Sequence, residues 1–197
     1  MRQAFNDIAL FNSKNNDKLR VAVNITAQQF ADQALVSNIL ETVADSKLDT
    51  ECVELEVTES MLMSDTSKVN AKLKQLQASG MTVAIDDFGT GYSSLQYLQE
   101  LALDVLKIDR AFIVSLENVE PENSVANTIV QLAKSMRLTT VAEGVETRQQ
   151  CEKVLSLGVD YIQGYLYSKP VPFDDLQSQI TELRKEIKRD SDFGRVA

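Results

Sequence analysis

Apolar residues recur along this chain in two alternating rhythms. One is the three-to-four-residue spacing of a helix with one buried face; the other is a short continuous run of strand length. Ala4, Ile8 and Phe11, with Phe5 beside them, predict an amphipathic helix over 2–12. A polar stretch from Asn12 to Asp17 precedes a strand over 20–25 that ends at Asn24. Leu35, Ile39, Leu40 and Val43 predict the next helix, and Cys52 to Val57 the next strand. Val69, Leu73 and Leu76 mark a helix that stops at Gly80, because glycine enters the left-handed conformation that ends helices. Met81 to Ile85 predict a strand running into Asp86, and a helix over 93–101 leads to a strand over 104–107. Pro121 opens a helix bearing Val125, Ile129, Leu132 and Met136. Thr139 to Ala142 predict a strand, Cys151, Val154 and Leu155 a helix ending at Gly158, and Tyr161 to Gln163 the last strand. Pro170 and Pro172 punctuate the turn into a final helix with Leu176, Ile180, Leu183 and Ile187.

Strand–helix alternation repeated six times predicts an α/β fold, a mainly parallel sheet with helices outside it. A closed (β/α) barrel and an open doubly wound sheet both satisfy it. No GxGxxG or GxxxxGKT loop follows a strand, which weighs against the nucleotide-binding versions of the open sheet. With 197 residues, 44% of them hydrophobic, the chain suits one domain over 1–188 and a fraying tail over 189–197. A net charge of -9 excludes a basic surface for a nucleic-acid polymer. The absence of histidine removes His-based triads and nearly all zinc site types, leaving carboxylates, lysine, hydroxyls or metal for any chemistry. Cys52 and Cys151 form no CxxC and read as buried thiols of a reducing compartment. No apolar run approaches about 20 residues, so no membrane segment is expected in this chain and a cytoplasmic location is.

Charge patterning changes the picture at the strand ends. The six expected strands end at Asn24, Glu56, Asp86, Lys107, Glu143 and Gln163, all polar or charged. In a parallel sheet these ends share one edge, which in (β/α) barrels is the active-site face. Two residues earlier stand Ala22, Glu54, Ala84, Val105, Val141 and Tyr161, mostly apolar, as a filled interior requires. Glu54 is the exception and needs a partner. Asp86 and Asp87 by themselves read equally as an acidic turn capped by Ser93 or Ser94. With the other ends they form an oxygen-rich set suited to Mg2+, Mn2+ or Ca2+. Lys107 is either a structural counter-ion or the holder of a water or phosphate.

These residues sit in motifs that resemble the EAL-domain family, Mg2+- or Mn2+-dependent phosphodiesterases that open the bacterial messenger cyclic di-GMP. The matches are Val23-Asn24-Ile25-Thr26, Glu56-Val57-Thr58-Glu59, the run from Asp86 to Leu95 (DDFGTGYSSL), Leu106-Lys107-Ile108-Asp109, Val141 to Glu146 (VAEGVE) and Gln163-Gly164-Tyr165. The resemblance implies that Asn24, Glu56 and Asp86 ligate a first metal. Asp86 bridges to a second, held also by Asp87 and Glu143, making two ions per site. It further implies that Lys107 positions the attacking water and that Gln163 supports water and phosphate. Glu59 ties down the loop Phe88, Gly89, Thr90, Gly91, Tyr92, Ser93 and Ser94. Asp109 and Glu146 stand behind the ligands, and the helix over 92–101 resembles the family's homodimer contact.

The chain departs from the pattern in one large way. The glutamate of the Glu-Ala-Leu motif, a first-metal ligand, and a nearby phosphate-binding arginine have no counterpart here. Ala102 and Lys169 replace residues that are often proline and arginine in the family. The expectation is a modified (β/α)8 TIM-like barrel, incomplete, with about six of its eight strands and lacking the N-terminal ones. The parent protein is expected to hydrolyse cyclic di-GMP to the linear dinucleotide, and the isolated chain to do so weakly or not at all. The alternatives are a non-catalytic EAL-like module that binds cyclic di-GMP or a protein partner, and a metal-dependent barrel lyase or isomerase with Lys107 as base.

Overall fold

The alternation of strands and helices is present throughout the computed structural model, which describes residues 1–15, 18–62, 66–89 and 95–189. The end of the first polar stretch at 16–17, loop residues 90–94 and the tail from 190 lie outside the described residues. The chain groups into two compact units, Met1–Val105 and Leu106–Ala197.

The first unit contains helix α1 (Arg2–Asn15), strand β1 (Val21–Asn24), helices α2 (Ala27–Ala31) and α3 (Leu35–Ser46), strand β2 (Val53–Thr58), helices α4 (Glu59–Leu62) and α5 (Thr66–Ala78), strand β3 (Thr82–Phe88) and helix α6 (Leu95–Glu100). β1 pairs with β2 and β2 with β3, both parallel. The alternation of strand side chains separates two faces. Val53, Leu55, Val57, Val83 and Ile85 are buried on one; Ala22 and Asn24 are exposed and Glu54 half-buried on the other. Glu54 is not without an interaction there. β3 is longer than the apolar run suggests, so Asp86 and Asp87 lie inside the strand rather than after it.

Helices missed in the sequence are short ones with local caps. Thr26 and Gln29 form a capping box for α2, each side chain accepting from the other's backbone N–H. Its far end is held by Lys72, which donates to the carbonyls of Phe30 (2.6 Å) and Asp32 (2.8 Å). Asp104 fixes register: its carboxylate accepts from the Val83 amide (2.8 Å) and from Gln77 Nε2 (2.8 Å).

The second unit takes up strand β4 (Val105–Ile108) from its second residue. It continues with helices α7 (Arg110–Ser115) and α8 (Val125–Met136), strand β5 (Thr139–Ala142), helix α9 (Arg148–Ser156), strand β6 (Tyr161–Ile162) and helix α10 (Leu176–Arg189). β4, β5 and β6 are neighbours in that order, with Val141 opposite Tyr161. Leu106, Ile108, Ile113 and Leu116 are fully buried beneath the helices. Asp160 repeats the device of Asp104, accepting from the Thr140 amide and hydroxyl at 2.8 Å each. A carboxylate one residue before a strand thus pins the start of the preceding strand in both units. Tyr161 is 38% exposed, so the position expected to fill an interior faces solvent here. Cys52 and Cys151 are both free and buried, and burial pushes the Cys52 thiol up. Among the described residues no helix is long and apolar enough to cross a membrane.

Candidate active site at the strand ends

Strand register builds the first half of the site. Asn24, the last residue of β1, lies opposite Glu56. Glu56 lies opposite Ala84, and Thr58 opposite Asp86. Period-two alternation therefore puts Asn24, Glu56 and Asp86 on one face of three adjacent strands. Glu56 is 5% exposed and Asp86 half-buried. A carboxylate buried to that degree needs compensation, and Glu56 and Asp86 are both partnered. Asp87 follows in the left-handed region at φ 54°, a strained conformation for any residue with a side chain. Its amide donates to Asp86 Oδ1 at 3.0 Å, which orients the first carboxylate of the pair.

Phe88 is buried, and Gly89 continues the turn at φ 92°. The Gly89 amide donates to Glu59 Oε2 at 3.0 Å, across 30 residues of chain. Glu59 is 5% exposed at the start of α4, and its Oε1 has no hydrogen-bond partner among the described residues. Thr90, Gly91, Tyr92, Ser93 and Ser94 lie outside the described residues, as does the start of the expected contact helix; α6 covers Leu95–Glu100.

The second unit holds the basic residue. Lys107 in β4 is 3% exposed, and its Nζ lies 2.5 Å from Glu143 Oε1. Glu143 follows β5 directly, and its amide extends the ladder by donating to the Ile108 carbonyl at 3.1 Å. Gln163 is exposed just after β6; its amide donates to the Ala142 carbonyl (2.8 Å) and its carbonyl accepts from Val145 (3.1 Å). Asp109 caps α7, accepting from the Ala111 amide at 2.8 Å. Glu146 Oε1 accepts from Arg110 at 2.8 Å.

Three supporting residues were assigned no role from the sequence, Gly164 appearing only within a matched motif. Gln150 accepts from the amides of Glu146 (2.8 Å) and Thr147 (3.1 Å) and donates to Glu117 (2.8 Å). Its signal was available in Thr147-x-x-Gln150, a capping box for α9. Arg110 and Gly164 carry no such local signal. A cavity of about 550 Å³ lined by Phe30, Met61, Val69 and Lys72 contains none of the expected site residues.

Among the described residues, no three or more Asp, Glu or Cys side chains gather closely enough to form a ready-made metal cluster. The donor type nevertheless fits a hard divalent cation. Asn24, Glu56 and Asp86 present only amide and carboxylate oxygens from successive strands.

A model of the EAL domain matches residues 1–170. Cyclic di-GMP phosphodiesterase NbdA of Pseudomonas aeruginosa is 37% identical over 184 residues, 93% of this chain and 24% of that protein. The chain thus spans about a quarter of that relative. The structure of the MucR phosphodiesterase in complex with c-di-GMP is 39% identical, with a TM-score of 0.83 over 89% of this chain and 71% of that one. A manganese/cyclic di-GMP complex of Klebsiella pneumoniae BlrP1 is 28% identical, with a TM-score of 0.75 over 86% of this chain and 42% of that one. The fold is that of the EAL (β/α)8 barrels, with six of the strands present among the described residues. With that fold, and with a family match running from Met1 through the Gln163-Gly164 turn, the chain belongs to the EAL domain family.

Proposed function

We propose that this chain carries most of a cyclic di-GMP phosphodiesterase site that opens the cyclic dinucleotide to its linear form. The observation that carries this reading is the match to a phosphodiesterase bound to c-di-GMP, at 39% identity over 89% of the chain. It is supported by the polar residues Asn24, Glu56, Asp86, Lys107, Glu143 and Gln163, each in or directly after a strand.

By motif, Asn24, Glu56, Asp86, Asp87 and Glu143 are the donors for two Mg2+ or Mn2+ ions. The manganese-bound relative supports the choice of metal. When bound, such ions lower the pKa of a water and offset charge developing on phosphorus oxygens. The protein supplies the rest. The Asp87 amide holds the Asp86 carboxylate in one orientation. Lys107, buried, pairs with Glu143 and has further ammonium protons to present to a water or a phosphate oxygen. Gln163, exposed at the end of β6, can donate through its amide group to a phosphate oxygen. Water oxygen bonds to phosphorus, the bond to the sugar 3′-oxygen breaks, and the proton released by water passes to that oxygen. Glu59 anchors the Phe88–Gly89 turn, and the segment 92–101 is the proposed homodimer contact. A cytoplasmic location is part of this reading.

The chain contains no Glu-Ala-Leu glutamate, so turnover by these 197 residues is expected well below about 1 per second. The test is calorimetric titration of the chain with cyclic di-GMP, with and without Mn2+, followed by chromatography for the linear product. Metal-dependent binding with slow product formation that Asp86→Asn removes is expected. Tight binding that ignores metal and yields no product would replace the enzyme by a receptor module. No binding under either condition overturns the reading.

A further inference from the structure

We propose that Arg110 is a positioning residue for the Lys107–Glu143 pair, acting through the turn from Gly144 to Glu146; this rests on that pair serving the phosphodiesterase site. Gly144 follows Glu143 directly and adopts φ 65°. A Cβ there would lie 2.5 Å from Arg110 Cγ, 2.7 Å from Cδ and 2.8 Å from Cβ. The arginine stem therefore rests directly on the backbone of the residue after the carboxylate. Its guanidinium then reaches the far end of the same turn, donating to Glu146 Oε1 at 2.8 Å.

The two contacts form a ladder. Lys107 and Arg110 are three residues apart, as are Glu143 and Glu146, and each base meets its own acid. Arg110 is fixed at its root because Asp109 caps α7. The other side of the turn is closed by Gln163 and Gly164: the Val145 amide donates to the Gln163 carbonyl at 3.1 Å, and the Val145 backbone fills the place of a Gly164 side chain. The turn is thus held by Gln163, Gly164 and Gln150 as well as by the Arg110 stem. Arg110 and Glu146 are largely solvent-exposed, so their ion pair adds little stability. Its stem decides where Glu143 sits, and a displacement of about 1 Å at a reacting group is worth roughly 100-fold in rate.

The experiment uses the 15N-labelled 197-residue chain and the variants Arg110→Ala, Arg110→Met and Gly144→Ala. Hydrogen exchange of the Lys107 ammonium reads the pair directly, thermal unfolding reads stability, and kcat and KM with cyclic di-GMP and Mn2+ read function. Arg110→Ala is expected to speed ammonium exchange about tenfold and lower kcat by about 10- to 100-fold with KM near wild type. Arg110→Met, which keeps the stem, stays near wild type. Gly144→Ala, which pushes the stem away, behaves as Arg110→Ala and decides the matter if that variant does not fold. Unchanged ammonium exchange in both disruptive variants, or equal loss in Arg110→Met, overturns the proposal. Absence of turnover in the wild type counts against the phosphodiesterase reading and leaves the exchange test of Arg110 intact.

Discussion

Replacing Gly164 by alanine should be among the most costly single-methyl changes in the second unit. The added Cβ would lie 2.1 Å from the Val145 carbonyl oxygen, 2.4 Å from its nitrogen and 2.7 Å from its carbonyl carbon. All three are backbone atoms, so no side chain can swing away, and the two segments must part by roughly 1 Å. Overpacking of this kind costs about 1–3 kcal/mol. The same movement strains two hydrogen bonds, from Val145 to the Gln163 carbonyl (3.1 Å) and from Leu166 to the Val145 carbonyl (3.0 Å). Each contributes about 0.5–1.5 kcal/mol. Together they amount to about 2–6 kcal/mol, a fall in melting temperature of roughly 4–24 °C for a chain of this length.

The assay is urea unfolding followed by far-UV circular dichroism and by tyrosine fluorescence. The chain has no tryptophan, and Tyr161, Tyr165 and Tyr167 all lie close to the substitution in sequence. Coincidence of the two signals licenses a single free energy. Gly158→Ala is the control: φ there is 73°, and the Cβ meets only the end of a flexible side chain, Lys134 Nζ at 2.8 Å, which donates to the Leu157 carbonyl. It should cost about 1–2 kcal/mol for left-handed strain, plus about 0.5–1.5 kcal/mol if that hydrogen bond is lost. A Gly164→Ala change within about 0.5 kcal/mol of wild type, or no larger than the control, refutes the reasoning.

Three further outcomes follow from the same structure. Gln150→Ala removes three hydrogen bonds and strands two amides of the α9 cap, so urea unfolding should show a loss of about 2–3 kcal/mol. Burial, and then the contact with Cys151 at 3.4 Å, push the Tyr167 phenol up from its ordinary value of 10.0. The unfolded chain then releases its proton first. Stability should fall as pH rises above about 10, until the folded phenol ionises, and Tyr167→Phe should flatten that fall in alkaline unfolding curves. Asp86→Asn keeps an acceptor for the Asp87 amide but loses a charge, so Mn2+ affinity by calorimetry should drop at least about tenfold while circular dichroism stays unchanged. Undiminished affinity would remove Asp86 from the donor set.

Much of this was legible because the signals are local. A strand of four to seven residues needs only a short apolar run, and a polar residue at its end stands out against that run. Asn24, Glu56 and Lys107 accordingly lie in β1, β2 and β4, and Glu143 and Gln163 directly follow β5 and β6. Boundaries shifted where tertiary contacts outweigh local pattern. β3 runs on through Asp86 and Asp87 to Phe88, because the ladder to Thr58 and the Glu59–Gly89 bond extend it. The six-residue helix α7 offers too few turns to show a period, although its Asp109 cap was in view.

What stayed hidden has a common cause. Lys107 and Glu143 are 36 residues apart, and Arg110 and Glu146 likewise. A base every few residues is ordinary in a chain that is 25% charged, so Arg110 has nothing to mark it. Gly144 and Gly164 look like any turn glycines until their missing side chains prove to be filled by an arginine stem and by a neighbouring backbone. Chemistry that is costly where it stands, such as an aspartate pair at the end of an apolar strand, advertises itself in sequence. The groups that hold it in place cost nothing unusual, so only distances reveal them, and substitutions at Arg110, Gly144 and Gly164 therefore test the site more sharply than a count of its ligands.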